Sequence, residues 1–175
     1  LHKDENNHLT SLTYEKDGEK ITVDGDIFIS SMPVKDLVGG MNDVPAEPGR
    51  IAAGLPYRDY MTVGVLVPKL NLINKTPIKT VSNIVPDCWI YVQERKVMMG
   101  RFQIYNNWSP YMIRDLENTV WVGLEYFVTE GDQYWTMSDE AFSKFAVDEM
   151  VKMGLINSPD VVMDTHVERV KKAYP

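Results

Sequence analysis

The side chains with the clearest chemical potential lie in a segment that reads Arg-Phe-Gln-Ile-Tyr-Asn-Asn-Trp, at 101–108. Successive side chains of a β-strand point to opposite faces, so Arg101, Gln103, Tyr105 and Asn107 would share one face. The other face would carry mainly apolar side chains. The segment therefore predicts one polar but aromatic face, which suits a wall that both stacks against a ligand and donates hydrogen bonds to it.

A second strand pattern, at 120–128, places an acid among aromatic residues. Trp121, Gly123, Glu125 and Phe127 alternate there with Val120, Val122, Leu124 and Tyr126. A carboxylate between aromatic rings on a buried face could anchor a substrate. The simpler interpretation is a sheet with one face against a helix and the other in water, and the alternation is compatible with both.

Arg58 is the third candidate, at the start of the pattern Tyr-Arg-Asp-Tyr-Met-Thr-Val. An arginine at a strand end can make a bidentate contact to a carboxylate or phosphate group of a substrate. It can equally pair with Asp59 or another acid as a structural clamp. The sequence leaves both roles open.

The elements that must position these residues follow from periodicity and turn residues. A hairpin is predicted around the Gly18 turn, and helices are predicted from Pro33 to Gly39-Gly40, near 46–55, and after Ser138 until Gly154. In the last helix, apolar residues at 142, 145, 146, 150 and 153 share one face. Strands are predicted at 9–14, 20–23, 27–30, 60–67, 88–93, 101–106, 120–128 and 161–170.

Short gaps between the three strands of 88–128 favour antiparallel neighbours. The expected fold class is therefore α+β, an antiparallel or mixed sheet of about five or six strands with helices packed on it. Residues 1–33 would form a hairpin and a further strand, and residues 34–175 would form a larger domain that is compact with the first segment.

The ordered set NWSPYM, GLEYF and EGD-x-x-W-x-MSDE, with DIFISSMP and LPYRDYMTV before it, resembles one enzyme family. It is similar to flavin-dependent oxidoreductases of the amine oxidase and protoporphyrinogen oxidase superfamily, including UDP-galactopyranose mutase-like relatives. The resemblance covers most of the chain from about Asp24. It implies the substrate-binding half of such an enzyme, whose sheet lies over the flavin ring system with one face lining the substrate cavity.

The resemblance also implies the chemistry. The intact protein would bind FAD and transfer a hydride equivalent between a small organic substrate and the flavin. The expected cofactor contacts are Ser30, Ser31, Met32 and Pro33, which could otherwise form a plain turn that caps a helix. No catalytic residue can be named from the sequence. The expected substrate contacts are Arg58, Tyr105, Asn107, Trp108, Glu125 and Tyr126.

The sequence lacks the glycine-rich turn that holds a dinucleotide pyrophosphate, G-x-G-x-x-G between a strand and a helix. Gly39-Gly40 follows a predicted helix instead of opening one. We therefore expect the chain to be a piece of a larger protein whose remaining half binds most of the flavin. The isolated chain is expected to fold without FAD.

Two other functions remain open. A flavin-dependent nucleotide-sugar mutase would use the same cavity for an isomerisation with no net oxidation. A non-catalytic domain would use the aromatic sheet to hold a ligand or partner and would bind no flavin even at full length.

Trp108 itself has two interpretations. The Ser-Pro that follows places it at the rim of the sheet, where a large ring can be half exposed to a ligand. The alternation instead places it with Phe102 and Ile104 in the core. The core interpretation predicts a large loss of stability on truncation.

Composition limits the remaining classes. The 175 residues are 44% hydrophobic and 25% charged, with a net charge of −7, so no nucleic-acid partner is expected. No apolar stretch is long enough for a membrane span, and a cytoplasmic protein is expected. The three histidines and the single Cys88 suggest no metal site, and Cys88 is expected to be reduced within the core.

Overall fold

The structure is a computed structural model that describes residues 1–174. These 174 residues are α+β, with one sheet of three strands and one of five. The strands are β1 His2–Lys3, β2 Leu9–Lys16, β3 Glu19–Asp24, β4 Arg58–Val67, β5 Trp89–Tyr91, β6 Arg101–Ile104, β7 Val120–Val128 and β8 Asp164–Tyr174. The helices are α1 Val34–Gly39, α2 Ala46–Gly54, α3 Tyr105–Trp108 and α4 Asp139–Lys152.

Contacts divide the chain into two compact units, residues 1–57 and residues 58–174. The sequence pattern placed a boundary after Pro33. The first unit therefore also includes α1 and α2. The candidate residues of strands β4 to β8 all belong to the second unit.

The first unit contains the predicted hairpin. β2 and β3 pair antiparallel around a two-residue turn. Asp17 and Gly18 occupy it with φ of 54° and 81°, which is the conformation that an Asp-Gly pair favours between two strands. The predicted helices α1 and α2 are also present, and Gly40 follows the last residue of α1.

The strand predicted at 27–30 is wrong. This segment pairs with no strand among the described residues, and Ile27 and Ile29 are 82% and 94% exposed. The short apolar run between polar and turn residues indicated a strand covered on both faces, but a strand also requires a neighbour with which to exchange hydrogen bonds. The described part of the chain does not supply that neighbour.

The second unit is built on an antiparallel sheet in the order β5-β6-β7-β4-β8. β5, β6 and β7 form the meander that their short connections predict. β4 and β7 are paired along their whole shared length, with Val63 opposite Leu124 and Gly64 opposite Gly123. This register determines which side chains share a face, because paired residues point the same way.

Helix α4 covers one face of this sheet. Ser138 caps it, its Oγ accepting a hydrogen bond from the Ala141 N–H at 3.2 Å. Gly154, with φ of 70°, follows its end, as predicted. The helix packs on the sheet through a core whose central side chains are fully buried: Met61, Val63, Val65, Val122, Leu124, Phe142, Ala146 and Met150.

β6 is shorter than predicted. It ends at Ile104, and 105–108 form a helical turn, α3, instead of extending the strand. The buried Asn106 explains the change, since its amide donates to Thr119 O at 2.8 Å and accepts from Trp121 N at 2.9 Å. These bonds hold the corner between β6 and β7, and the side-chain alternation stops there.

None of the helices within residues 1–174 is both long enough and apolar enough to cross a membrane.

Candidate functional site

The candidate site lies on the sheet face opposite α4, which we call the polar face. The strand register brings β4 and β6 to either side of β7 there. Its central members are Tyr60, Thr62 and Gly64 of β4, Arg101 and Gln103 of β6, and Trp121, Gly123, Glu125 and Phe127 of β7.

Glu125 is at the centre of the polar face, opposite Arg101 on one side and Thr62 on the other. The Arg101 Nε donates to its Oε2 at 2.5 Å, and the Gln103 amide donates to its Oε1. The Arg101 and Glu125 side chains are only 5% and 2% exposed. A buried ion pair of this kind fixes both side chains, because either charge alone would be strongly unfavourable.

Aromatic rings surround the Arg101 guanidinium. Its central carbon lies 4.5 Å from the ring centroid of Trp89, 4.6 Å from Phe127, 5.1 Å from Tyr174 and 5.7 Å from Tyr91. Burial lowers the pKa of Arg101, but Tyr174, Glu125 and Tyr91 outweigh it and raise the pKa above its ordinary value. The guanidinium therefore remains charged and is held by cation–π contacts as well as by Glu125.

Three hydroxyl groups lie beside the ion pair. Burial raises the pKa of Tyr60 to about 12; Thr62 and Arg101 lower it, while Glu125 and Tyr105 raise it further. Burial also raises the pKa of Tyr105, with Thr62 opposing and Glu125 adding to the shift. The Thr62 Oγ1 is buried and close enough to both phenols for hydrogen bonding with it to oppose these shifts.

Two glycines make room for rings on this face. A methyl group at Gly123 would overlap the Tyr105 hydroxyl, and one at Gly64 would lie 2.8 Å from the Trp121 Cζ2. Gly64 and Gly123 are opposite each other in the β4–β7 register. The Tyr105 and Trp121 rings lie against these two glycines. Any larger residue at either position would displace the ring beside it.

Asn107 and Trp108 lie in α3, at the corner of the sheet. The Asn107 amide donates to Val85 O at 2.8 Å and to Asp87 O at 3.0 Å. The backbone carbonyl of Asn107 accepts from the half-buried Cys88 thiol at 3.5 Å. Trp108 is 51% exposed, so the core interpretation of this side chain is wrong. The helical turn removes it from the face of Phe102 and Ile104.

Tyr126 is on the opposite side of the sheet from Glu125. It is fully buried against α4, with its ring edge-on to Phe142 at a centroid distance of 4.9 Å. Burial, followed by the Glu149 carboxylate, raises the pKa of Tyr126 well above its ordinary range. The structure therefore does not bring Tyr126 together with the other candidate residues.

Arg58 begins β4 and is exposed. It lies close enough to Asp132 to help lower the pKa of that carboxyl, although burial acts in the opposite direction. The larger lowering comes from backbone N–H groups of Trp135, Thr129 and Tyr134, which donate to Asp132. The neighbouring Asp59 accepts from Glu130 N at 2.7 Å, so acids at this end of the sheet fix turns.

Ser30, Ser31, Met32 and Pro33 lie in the first unit, in a segment before α1 that is neither helix nor strand. The Ser30 Oγ accepts from Met32 N at 3.2 Å, and α1 has no side-chain cap. Neither α1 nor α2 follows a strand directly through a glycine-rich turn. The described residues therefore do not build a pyrophosphate site for a dinucleotide.

Sequence reasoning missed Tyr60 and Thr62, and it left Arg101, Gln103, Trp89 and Tyr91 out of the expected substrate contacts. A signal was present, because Tyr60 and Thr62 alternate with the buried Met61 and Val63. What the sequence did not supply was the register that puts them beside Glu125.

A separate cavity of about 650 Å³ lies where Leu66 and Trp121 end the polar face. Its remaining lining residues are Met112, Ile113, Arg114, Asp115, Thr119 and Met163. Within residues 1–174, no cluster of three or more His, Cys, Asp or Glu side chains is arranged to hold a metal ion.

Comparison with known proteins gives a similarity of fold. No model of a protein family and no curated protein matches the sequence. A crystal structure of reduced UDP-galactopyranose mutase matches 95% of this chain and 32% of its own, with a TM-score of 0.61 and 19% identity.

A second solved structure is that of a protein assigned as a protoporphyrinogen oxidase, from Exiguobacterium sp. 255-15. It matches 93% of this chain and 34% of its own, with a TM-score of 0.56 and 12% identity. The chain thus spans about a third of the length of each neighbour. Both names fall within the group of flavin-dependent enzymes that the sequence resembles.

Proposed function

We propose that this chain is the substrate-binding portion of a flavin-dependent oxidoreductase that transfers a hydride equivalent between a small organic substrate and FAD. The observation that carries the proposal is the polar face, with its buried Arg101–Glu125 pair and adjacent phenols, on a fold shared with two enzymes of this group. Such a face combines a rigid aromatic surface with a few placed polar groups, as ligand sites do.

The cofactor would be held mainly by the rest of the parent protein, because the described residues build no pyrophosphate site. FAD would supply the acceptor or donor of the hydride equivalent. Ser30 to Pro33 remain candidates for contact with it, since they lie in an irregular segment whose neighbouring isoleucines are exposed.

Each part of the polar face has a role in this proposal. Arg101 and Gln103 position Glu125, and the rings around Arg101 exclude water from the ion pair. Tyr60, Thr62 and Tyr105 offer hydroxyl groups to substrate. A fixed arrangement of this kind orients a substrate without reorganising, which is how positioning accelerates a reaction.

A flavin-dependent nucleotide-sugar mutase is the second candidate. The neighbour with the higher TM-score and identity is a UDP-galactopyranose mutase, which favours this reaction class. Reduced flavin would then act on the sugar with no net oxidation. The two candidates differ in whether substrate is consumed or rearranged.

The test is an anaerobic titration of the full-length parent protein with candidate amines, porphyrinogens and nucleotide sugars, followed by visible spectroscopy and product analysis. An oxidoreductase bleaches its flavin as a substrate is oxidised. A mutase converts a nucleotide sugar only when its flavin has been reduced beforehand. A full-length protein with no bound flavin would reject both and leave the non-catalytic binding domain.

A further inference from the structure

The hydroxyls of Tyr60, Thr62 and Tyr105, here called the hydroxyl cluster, are placed to meet a ligand. The β4–β7 register sets Thr62 opposite Glu125, and Gly123 makes room for the Tyr105 hydroxyl. The Thr62 Oγ1 is buried and lies close enough to both phenols for hydrogen bonding to affect their pKa values. An oxygen acceptor on a ligand can compete for the phenol O–H groups of such a cluster.

The charges beside the cluster are already paired. Beside the cluster, Arg101 is paired with Glu125. The Glu125 charge contributes to the raised pKa of both Tyr60 and Tyr105, so its field reaches the cluster. An anionic ligand at the cluster would therefore lie beside the Glu125 carboxylate, whose cationic partner Arg101 is already engaged. The net charge of the chain, −7, also opposes the binding of an anion.

The two phenols act as donors. Burial raises the pKa of Tyr60 to about 12 and raises that of Tyr105 as well, so both stay protonated at neutral pH. Neutral phenols donate hydrogen bonds to carbonyl, ether or hydroxyl oxygens. The cluster thus complements an oxygen acceptor that carries no net charge.

The border of this face complements a ring. Trp89 and Tyr91 are 42% and 67% exposed, and their ring centroids lie 5.9 Å apart at an interplanar angle of 30°. Exposed aromatic side chains at a site edge stack against planar ligands. They share the face of Gln103 and Arg101, next to Glu125.

We propose that the hydroxyl cluster binds an uncharged planar ring compound through a carbonyl or ether oxygen and discriminates against anionic analogues. The role of such a compound as the substrate rests on the proposed function, whereas its binding to this chain does not. The proposal selects an uncharged substrate class and disfavours a diphosphate group at this part of the face.

The test is an NMR titration of the ¹⁵N-labelled 175-residue chain with benzamide and, separately, with benzoate, which has the same shape and a negative charge. Benzamide should shift the amide signals of Tyr60 to Gly64 and of Gly123, and its dissociation constant should be at least about fivefold lower than that of benzoate. Tyr60→Phe combined with Tyr105→Phe should weaken benzamide binding at least about fivefold. Tyr111→Phe, at a side chain that is 97% exposed, is the control and should change nothing.

Equal or tighter binding of benzoate, shifts elsewhere only, no benzamide binding, or an unchanged affinity in the double variant would each overturn the proposal. These outcomes are separate from those of the flavin experiment. Flavin reduction by a substrate, together with no binding of benzamide at the cluster, would leave the proposed function standing and reject this inference. Selective benzamide binding, together with a full-length protein that lacks flavin, would support this inference and reject the proposed function.

Discussion

Glu125 has two neighbours that make its position costly to disturb. It accepts hydrogen bonds from Arg101 and Gln103, and the Arg101 charge beside it is buried. At the scale of single residues, the polar face therefore depends on this carboxylate more than on any group at the rim.

Glu125→Gln should lower the free energy of unfolding by about 3–5 kcal/mol, because it leaves the Arg101 charge buried and unpaired. Urea unfolding measures the change. Asp148→Asn is the matched control, since it breaks the exposed pair with Lys144 and should cost about 0.3–0.5 kcal/mol. A Glu125→Gln variant no less stable than the control would show that the pair does not hold the face.

The raised pKa of Tyr60 predicts that the stability of the fold depends on pH. Its pKa is raised from 10.0 to about 12, so between these values the unfolded chain has lost a proton that the folded chain retains. The folded state then binds more protons, and stability falls as the pH rises through this window. Tyr60→Phe should make the fall shallower, as measured by urea unfolding across the window, whereas Tyr111→Phe should not. An identical slope in both variants would contradict the assignment.

Trp108→Ala should cost no more than about 1 kcal/mol, compared with the roughly 3–5 kcal/mol expected for a buried tryptophan. The reason is its exposure of 51% in the turn that ends β6. The melting temperature of the variant checks this. A drop of many degrees would return Trp108 to the core.

Glu125 could be predicted from the sequence, because alternation along β7 places it between aromatic residues. Tyr60 and Thr62 could not be assigned to the same site, since the register that pairs β4 with β7 is a property of neither strand alone. Tyr126 was expected beside Glu125 on the basis of the family resemblance, although adjacent strand residues point to opposite faces.

At the scale of elements, α4 and the loop before β6 are joined by one buried carboxylate. Glu149 of α4 is 2% exposed and accepts from Met98 N at 2.6 Å and Met99 N at 3.0 Å. These bonds fix the backbone that leads into Arg101. The helix therefore supports the polar face from the other side of the sheet.

Glu149→Gln should cost about 1–3 kcal/mol, because an amide N–H₂ replaces an acceptor opposite a buried backbone N–H. Chemical denaturation gives the value. The control is Glu140→Gln, an exposed acid on the same helix. Slower amide exchange at Met98 and Met99 in the Glu149 variant than in the parent chain would contradict the role of this contact.

The regular elements with strong local signals were predictable. Helix α4 has a capping serine, an apolar stripe and a terminal glycine, and β7 was predicted with its observed bounds. The end of β6 depends on Asn106 bonding to residues that follow it by 13 and 15 positions, which no local pattern reports. The segment 27–30 has a strand pattern but no partner strand among the described residues.

At the scale of the whole molecule, the two compact units carry different parts of the proposal. The second unit carries the polar face, whereas Ser30 to Pro33 belong to the first. The fold similarity to two larger proteins spans both units and about a third of each neighbour. The chain is accordingly expected to supply a substrate wall and not a complete flavin site.

The most direct test is the rate of flavin reduction in the full-length parent protein with the substrate that the anaerobic titration identifies, compared between the parent and a Tyr60→Phe/Tyr105→Phe variant. We predict the same flavin content and a reduction rate at subsaturating substrate that is at least about tenfold lower, because two donors to the substrate are lost. Tyr111→Phe should match the parent. An unchanged rate in the double variant would contradict the assignment of the polar face as the substrate wall.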